Sequence, residues 1–201
     1  MINNYEQRST NRKAIFVDRD GVIIDNVIRD DGSKGSIRKI SDLKIADGVK
    51  TFLSRCVDAE FIVVAVTNQP DIARGKLNLS ELEAINAKLL RQLPEIKKIY
   101  VCPHDNADNC KCRKPKPGLF FKARSELGIN LSKSWMVGDR ASDVDASFNA
   151  DIHAICIPSQ FSAAHAIRLC NSNNPHLIAE DILDAWSFIA NNVAVTGTTF
   201  H

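Results

Sequence analysis

The 201-residue sequence is poor in aromatics, 6%, with two tryptophans and two tyrosines. Its net charge is only +2, from 26 lysines and arginines against 24 aspartates and glutamates. That balance is too mild for the electrostatic footprint of a nucleic-acid or membrane-surface binder. No basic stripe is interleaved with aromatics, as a single-strand-binding platform needs. No run of 18 apolar residues occurs, so no bilayer span is expected. Met1 to Lys13 is polar and has no apolar signal region. These absences predict a soluble, cytoplasmic, monomeric protein without nucleic-acid or membrane partners.

What is present is ordinary globular composition, 44% hydrophobic and 25% charged. A chain of this size buries about 70% of its unfolded surface, enough for a core without staples. Short apolar runs at Lys13–Val17, Phe61–Val66, Ile99–Val101, Trp135–Val137 and Ala154–Ile157 read as strands. Helical patterns fall between them: Val49 to Cys56, Ser80 to Leu93, Leu119 to Leu127, Ser142 to about Ala150, and Glu180 to Ala190. Ser80 with Glu83 has capping-box spacing, and Gly128 can close the third helix. Continuous apolar strands alternating with helices predict an α/β fold, a central parallel sheet flanked by helices. Residues 1–12 read as an N-terminal extension, 13–192 as a single domain and 193–201 as a loose C-terminal tail. Asn26 to Asp42 reads as a small flap, and no internal repeat is visible.

In such a sheet, ligands bind at the carboxyl ends of the strands. Polar groups cluster there. Asp18–Arg19–Asp20 follows the first strand, with two carboxylates spaced to lie on one side of an extended chain. Near a shared cation one can remain an ionised nucleophile while the other holds a proton. Alone, the tripeptide is equally an acidic turn. Gly138–Asp139 ends another strand, and Asp139 with Asp18 and the backbone of Asp20 makes an oxygen set suited to Mg²⁺. Asp143 reads either as an orienting or metal-reaching group, or as a helix-start carboxylate favoured by the dipole. Thr67 and Asn68 suit phosphate oxygens, though they are also a common turn pair. Lys114 lies in the proline-stiffened run Arg113–Lys114–Pro115–Lys116–Pro117–Gly118 and can neutralise a phosphate.

A second cluster is Cys102–Pro103–His104 with Cys110–Lys111–Cys112. A chain without an export signal is a poor candidate for a disulfide framework. Three sulfurs and an imidazole make a closed set for structural Zn²⁺. Free thiols in a loop are the plainer reading. Residues 102–112 have no apolar core of their own, so a metal would fix them and hold Arg113 and Lys114 against the strand-end residues.

The segments Asp18–Arg19–Asp20–Gly21–Val22, Thr67–Asn68–Gln69, Lys114 and Gly138–Asp139–Arg140–Ala141–Ser142–Asp143, in this order, resemble the haloacid dehalogenase superfamily of aspartyl phosphatases. The resemblance runs from about Lys13 to Ile157. The cysteine loop leading into Arg113–Lys114–Pro115, and the stretch Thr67 to Gly75, are similar to the capless zinc-loop group that holds heptose bisphosphate 7-phosphatases and histidinol-phosphate phosphatases. Pro70–Asp71 departs from the Ser–Gly often found there, and the Asn26–Asp42 flap is longer than in the simplest heptose enzymes.

The resemblance implies a Rossmann-like fold without a large cap. It implies Asp18 as nucleophile and Mg²⁺ ligand, Asp20 as acid/base with its carbonyl on Mg²⁺, and Asp139 as the third protein ligand. Thr67 and Asn68 would bind the transferring phosphate, Lys114 would neutralise it, and Gln69 would contact the substrate. Arg113 and Arg140 would contact the rest of the substrate. Cys102, His104, Cys110 and Cys112 would hold Zn²⁺. The implied reaction removes the 7-phosphate of D-glycero-D-manno-heptose 1,7-bisphosphate, a small phosphorylated sugar feeding nucleotide-activated heptose synthesis. Histidinol phosphate is the alternative substrate, followed by a polynucleotide 3′-phosphatase or a non-enzymatic zinc-bearing module. Cys56, Cys156, Cys170, Trp135 and Trp186 read as packing residues, and His153 and His165 as surface or core.

Overall fold

The computed structural model describes residues 11–29, 32, 34–157 and 177–196. Expectations that fall on residues 1–10, His165, Cys170 and 197–201 lie outside the described residues.

The apolar runs become parallel strands. These are β1 (Ala14–Asp18), β4 (Ile62–Asn68), β5 (Ile96–Cys102), β6 (Trp135–Gly138), β7 (His153–Cys156) and a two-residue β8 (Leu177–Ile178), which has too short a pattern to be read from sequence. The sheet order is β5-β4-β1-β6-β7-β8, with every pair parallel. The chain winds outward from β1 to β5, then crosses back to β6 on the other side of β1. The reversal opens a crevice between the carboxyl ends of β1 and β6, where parallel α/β sheets take their ligands.

Alternation along the strands splits the core into two layers. Ile15, Val17, Val63 and Ala65 face one layer, with α1 (Val49–Asp58), α3 (Leu79–Gln92) and α6 (Ile182–Thr196). Ala14, Phe16, Val64, Val66 and Met136 face the other, with α4 (Gly118–Leu127) and α5 (Ala141–Phe148). The covered faces follow from helical spacing: Val49, Phe52, Leu53 and Cys56 on α1, and Leu82, Ile85 and Leu89 on α3, are all buried. Phe16 and Phe120 meet edge-to-face at 4.9 Å, tying α4 to the central strand.

The α3 start differs from the expected one. Asn78, not Ser80, caps the helix: its side chain accepts from the Glu81 N–H at 2.8 Å, and Glu81 accepts from the Asn78 N–H at 3.1 Å. Both pairs have the same spacing, but starting at Leu79 adds two residues, about half a turn, to the helix. Ser80 instead donates to Asn78 Oδ1. Gly128 closes α4 in the left-handed region, as expected. A short helix α2 (Pro70–Ala73) follows β4, which sequence periodicity is too brief to reveal.

The flap holds an antiparallel hairpin of β2 (Val27–Ile28) and β3 (Lys34–Gly35). Among the described residues it is the one structured insertion between β1 and α1 besides a single 3₁₀ turn at Ile40–Asp42, so no large cap covers the crevice. No helix among the described residues is long and apolar enough to cross a membrane.

Candidate active site

Three separate segments meet at the crevice. Asp18 is the last residue of β1, Asp139 follows β6, and Asp143 lies in the first turn of α5. Oxygen atoms of all three lie within 4.8 Å of one another, and all three residues are buried. Gly138 makes this possible: a Cβ there would overlap the Asp143 side chain, which folds back over the end of β6.

Lys114 enters from the far side. Its Nζ lies 2.7 Å from Asp18 Oδ1 and 2.6 Å from Asp143 Oδ1, and it donates to the Val66 carbonyl at 3.0 Å. The side-chain amide of Asn68 holds the lysine backbone from both sides, donating to Lys114 O at 3.0 Å and accepting from Lys114 N at 3.1 Å. Burial alone would lower the Lys114 ammonium, but the Asp143 and Asp18 carboxylates outweigh it and hold it above the usual lysine range.

Three carboxylates thus crowd together, and the ammonium contacts only Asp18 and Asp143. Burial, with Asp143 and Asp139 adding to it against Lys114, pushes the Asp18 carboxyl up to about 7. Burial and then Asp143 push Asp139 up to about 6. Asp139 Oδ1 is buried with no hydrogen-bond partner, and the exposed Arg140 Nε stands 3.8 Å from it. An octahedral Mg²⁺ with oxygens at about 2.1 Å separates its ligands by about 3–4 Å. The spacing, the orphaned oxygen and the surplus negative charge all fit a divalent cation.

Asp20 faces differently. Its Oδ2 accepts from Gln69 Nε2 at 2.7 Å, Arg19 Nε at 3.0 Å and Thr67 Oγ1 at 3.2 Å, and its Oδ1 accepts from Arg19 Nη2 at 3.2 Å. Arg19 is fully buried and anchored to Asn86 on α3 at 2.7 Å. The side chains of Thr67 and Asn68, expected on phosphate, and of Gln69, expected on the substrate, are therefore directed to Asp20 and Lys114. The roles of Arg19 and Asn86 were not read from sequence. An arginine between two aspartates was the available signal, and Asn86 gives none.

The second cluster forms a pocket of its own beside α4. Cys112 Sγ lies 3.3 Å from Cys102 Sγ, 3.6 Å from Cys110 Sγ and 3.3 Å from His104 Nδ1. Cys102 Sγ lies 3.7 Å from Cys110 Sγ and 3.6 Å from His104 Nδ1. Ligands at about 2.3 Å for sulfur and about 2.0 Å for nitrogen around a tetrahedral centre stand about 3.8 Å and about 3.5 Å apart. The four groups fit that figure. Arg113 is stapled to this loop, donating to Asn106 Oδ1 at 2.6 Å and to the His104 carbonyl at 3.2 Å.

The crevice opens into a cleft of about 540 Å³, lined by Asp18, Arg113, Lys114 and Arg140 among others. A buried carboxylate at the end of the central strand, a lysine against it and a cation-rich cleft describe a hydrolase of phosphate esters.

Comparison with known proteins agrees with that class. Residues 111–185 match the family model for haloacid dehalogenase-like hydrolases. The chain is 34% identical over 152 residues to the D-glycero-alpha-D-manno-heptose-1,7-bisphosphate 7-phosphatase of Campylobacter jejuni, covering 74% of this chain and 83% of that protein. It is 35% identical over 148 residues to the D-glycero-beta-D-manno-heptose-1,7-bisphosphate 7-phosphatase of Helicobacter pylori, covering 71% and 81%. The crystal structure of the D,D-heptose 1,7-bisphosphate phosphatase of B. bronchiseptica with magnesium and phosphate superposes with a TM-score of 0.75 at 26% identity, covering 90% of this chain and 99% of that one. The chain belongs to the haloacid dehalogenase-like phosphatases, in the branch of these heptose bisphosphate enzymes.

Proposed function

We propose that the chain is a Mg²⁺-dependent phosphatase that removes the 7-phosphate of D-glycero-D-manno-heptose 1,7-bisphosphate through an aspartyl-phosphate. The observation that carries this reading is the convergence of Asp18, Asp139 and Asp143, two of them paired to Lys114, beside the cleft. The relatives supply the substrate class.

Asp18, Asp139 and the Asp20 carbonyl would hold Mg²⁺, with Asp143 beside them. Bound there, the ion supplies positive charge against the equatorial oxygens of the phosphoryl group. The Asp18 carboxylate attacks phosphorus in line and forms the acyl phosphate. The bond to the sugar oxygen breaks, and Asp20 gives that oxygen a proton. Asp20 then takes a proton from water as the water attacks phosphorus, releasing phosphate and restoring Asp18. Lys114 holds its charge throughout, because two carboxylates support it. Arg19, Thr67 and Gln69 fix the resting position of Asp20, while Arg113 and Arg140 flank the leaving sugar. Cys102, His104, Cys110 and Cys112 would hold structural Zn²⁺, which would stiffen the loop that carries Arg113 and Lys114.

The test is Mg²⁺-dependent phosphate release from both anomers of the heptose bisphosphate, with histidinol phosphate alongside. Turnover on the bisphosphates well above that on histidinol phosphate is expected. Faster turnover of histidinol phosphate would reassign the substrate.

A further inference from the structure

Among the described residues, Arg19 is the only buried arginine, and no part of it is exposed. Neither Arg19 nor Asn86 lines the cleft, whereas Asp20 does. What the arginine contributes to the site it therefore contributes through Asp20. An ion pair buried in this way is a weak source of stability, since well-packed apolar residues of similar volume often do as well or better.

The fold leaves Arg19 little freedom. Its main chain is fixed in the turn at Gly21, where the Ile23 and Ile24 N–H groups donate to the Arg19 carbonyl at 3.1 and 2.9 Å. Its guanidinium meets the Asp20 carboxylate edge-on, Nε to Oδ2 at 3.0 Å and Nη2 to Oδ1 at 3.2 Å. The remaining nitrogen, Nη1, donates to Asn86 Oδ1 at 2.7 Å. Asn86 is half-buried on α3, beside the core residue Ile85. A planar guanidinium held at all three nitrogens cannot turn, so a helix of the core sets the orientation of the carboxylate.

That carboxylate has two unlike oxygens. Oδ2 accepts from three donors, Arg19, Thr67 and Gln69. Oδ1 accepts only from Arg19 Nη2. Each carboxylate oxygen offers about two lone pairs, so Oδ1 is the one with room for a proton.

We propose that Asn86 is a positioning residue for the acid/base: through Arg19 it aims Asp20 Oδ1 at the sugar oxygen that leaves phosphorus. The proposal rests on the phosphatase reading above and adds the helix that sets the direction of proton transfer. The proton on Oδ1 passes to the bridging oxygen as the bond from phosphorus to that oxygen breaks, and the electron pair of the bond stays with the sugar oxygen. Asp20 is left as a carboxylate, and the attacking water later returns a proton to it.

The experiment compares a leaving group that needs this proton with one that does not. The ratio kcat/KM counts the steps up to release of the alcohol. In Asn86→Leu, kcat/KM for heptose 1,7-bisphosphate should fall about tenfold to a hundredfold. For p-nitrophenyl phosphate, whose phenolate departs without a proton, it should stay within about twofold of wild type. Asn86→Asp keeps the acceptor oxygen and should recover most of the loss. Thermal unfolding is followed alongside, and Asn86→Ala asks the same question with less bulk if the leucine does not fit.

A residue that only supported the fold would lower both esters together. Equal losses on the two esters in a folded variant, or no loss on either, overturn the proposal and leave the phosphatase reading standing. A wild type that hydrolyses neither ester ends that reading, and the proposal with it.

Discussion

The carboxylate corner and the cysteine loop both bring together groups that could hold a metal ion, but they are assembled in opposite ways. Asp18, Lys114, Asp139 and Asp143 come from β1, the segment before α4, the end of β6 and the first turn of α5. Parallel pairing holds them: Ile15, Phe16 and Val17 of β1 are in register with Trp135, Met136 and Val137 of β6. The cysteine loop draws all four groups from residues 102–112, with only Cys102 inside a strand. The corner owes its geometry to the core beneath it. The loop has a single 3₁₀ turn, Asn106–Asp108, with no buried residue.

Four substitutions can break or sharpen that contrast. The largest effect is expected at Asp18, the proposed nucleophile. Asp18→Asn should lower kcat by at least about a thousandfold while thermal unfolding stays close to wild type, since the sheet holds the corner with or without the charge. Cys112→Ser should do the reverse. Zinc content by elemental analysis should fall from about one per chain, and stability should drop by about 3–5 kcal/mol in chemical denaturation. A fully stable, zinc-free Cys112→Ser protein would remove the metal from the loop.

Asn68→Ala cuts both hydrogen bonds to the Lys114 backbone, so kcat/KM should fall by about tenfold with little change in zinc content. If Cys112→Ser costs more activity than Asn68→Ala at a temperature where both are folded, the loop and not β4 positions the lysine. The smallest effect is Asn78→Ala, which removes the α3 cap at about 1 kcal/mol and should leave turnover alone. It serves as the measure of what a purely structural change does.

The strand ends were legible because burial on both faces writes a continuous apolar run, and polar residues interrupt it where the crevice begins. Asp18 and Asp139 follow from those interruptions and Lys114 from its proline-stiffened run, together with the family resemblance. What sequence spacing does not carry is the partner of each side chain. Gln69 belongs to a substrate-binding pattern, yet its amide bonds Asp20 and Thr67. Asp143 could be read either as a helix-start carboxylate or as a group aimed at the site. It is both, accepting from the Arg140 N–H at 3.1 Å and meeting Lys114 at 2.6 Å. Arg19 to Asn86 joins residues 67 positions apart, with no periodic signal between them. The meeting of Cys102, His104, Cys110 and Cys112 was legible, since all four lie within one short stretch.

The double hydrogen bond from Asn68 to the Lys114 main chain has an evolutionary corollary. The Lys114 main chain is pinned by the last residue of a central strand, so the stretch between His104 and Cys110 can gain or lose residues, provided the four cysteine-loop groups still meet, without displacing the lysine. Length variation there should be tolerated across descendants of this fold, whereas replacing Asn68 even by the isosteric aspartate, which offers no N–H, should not.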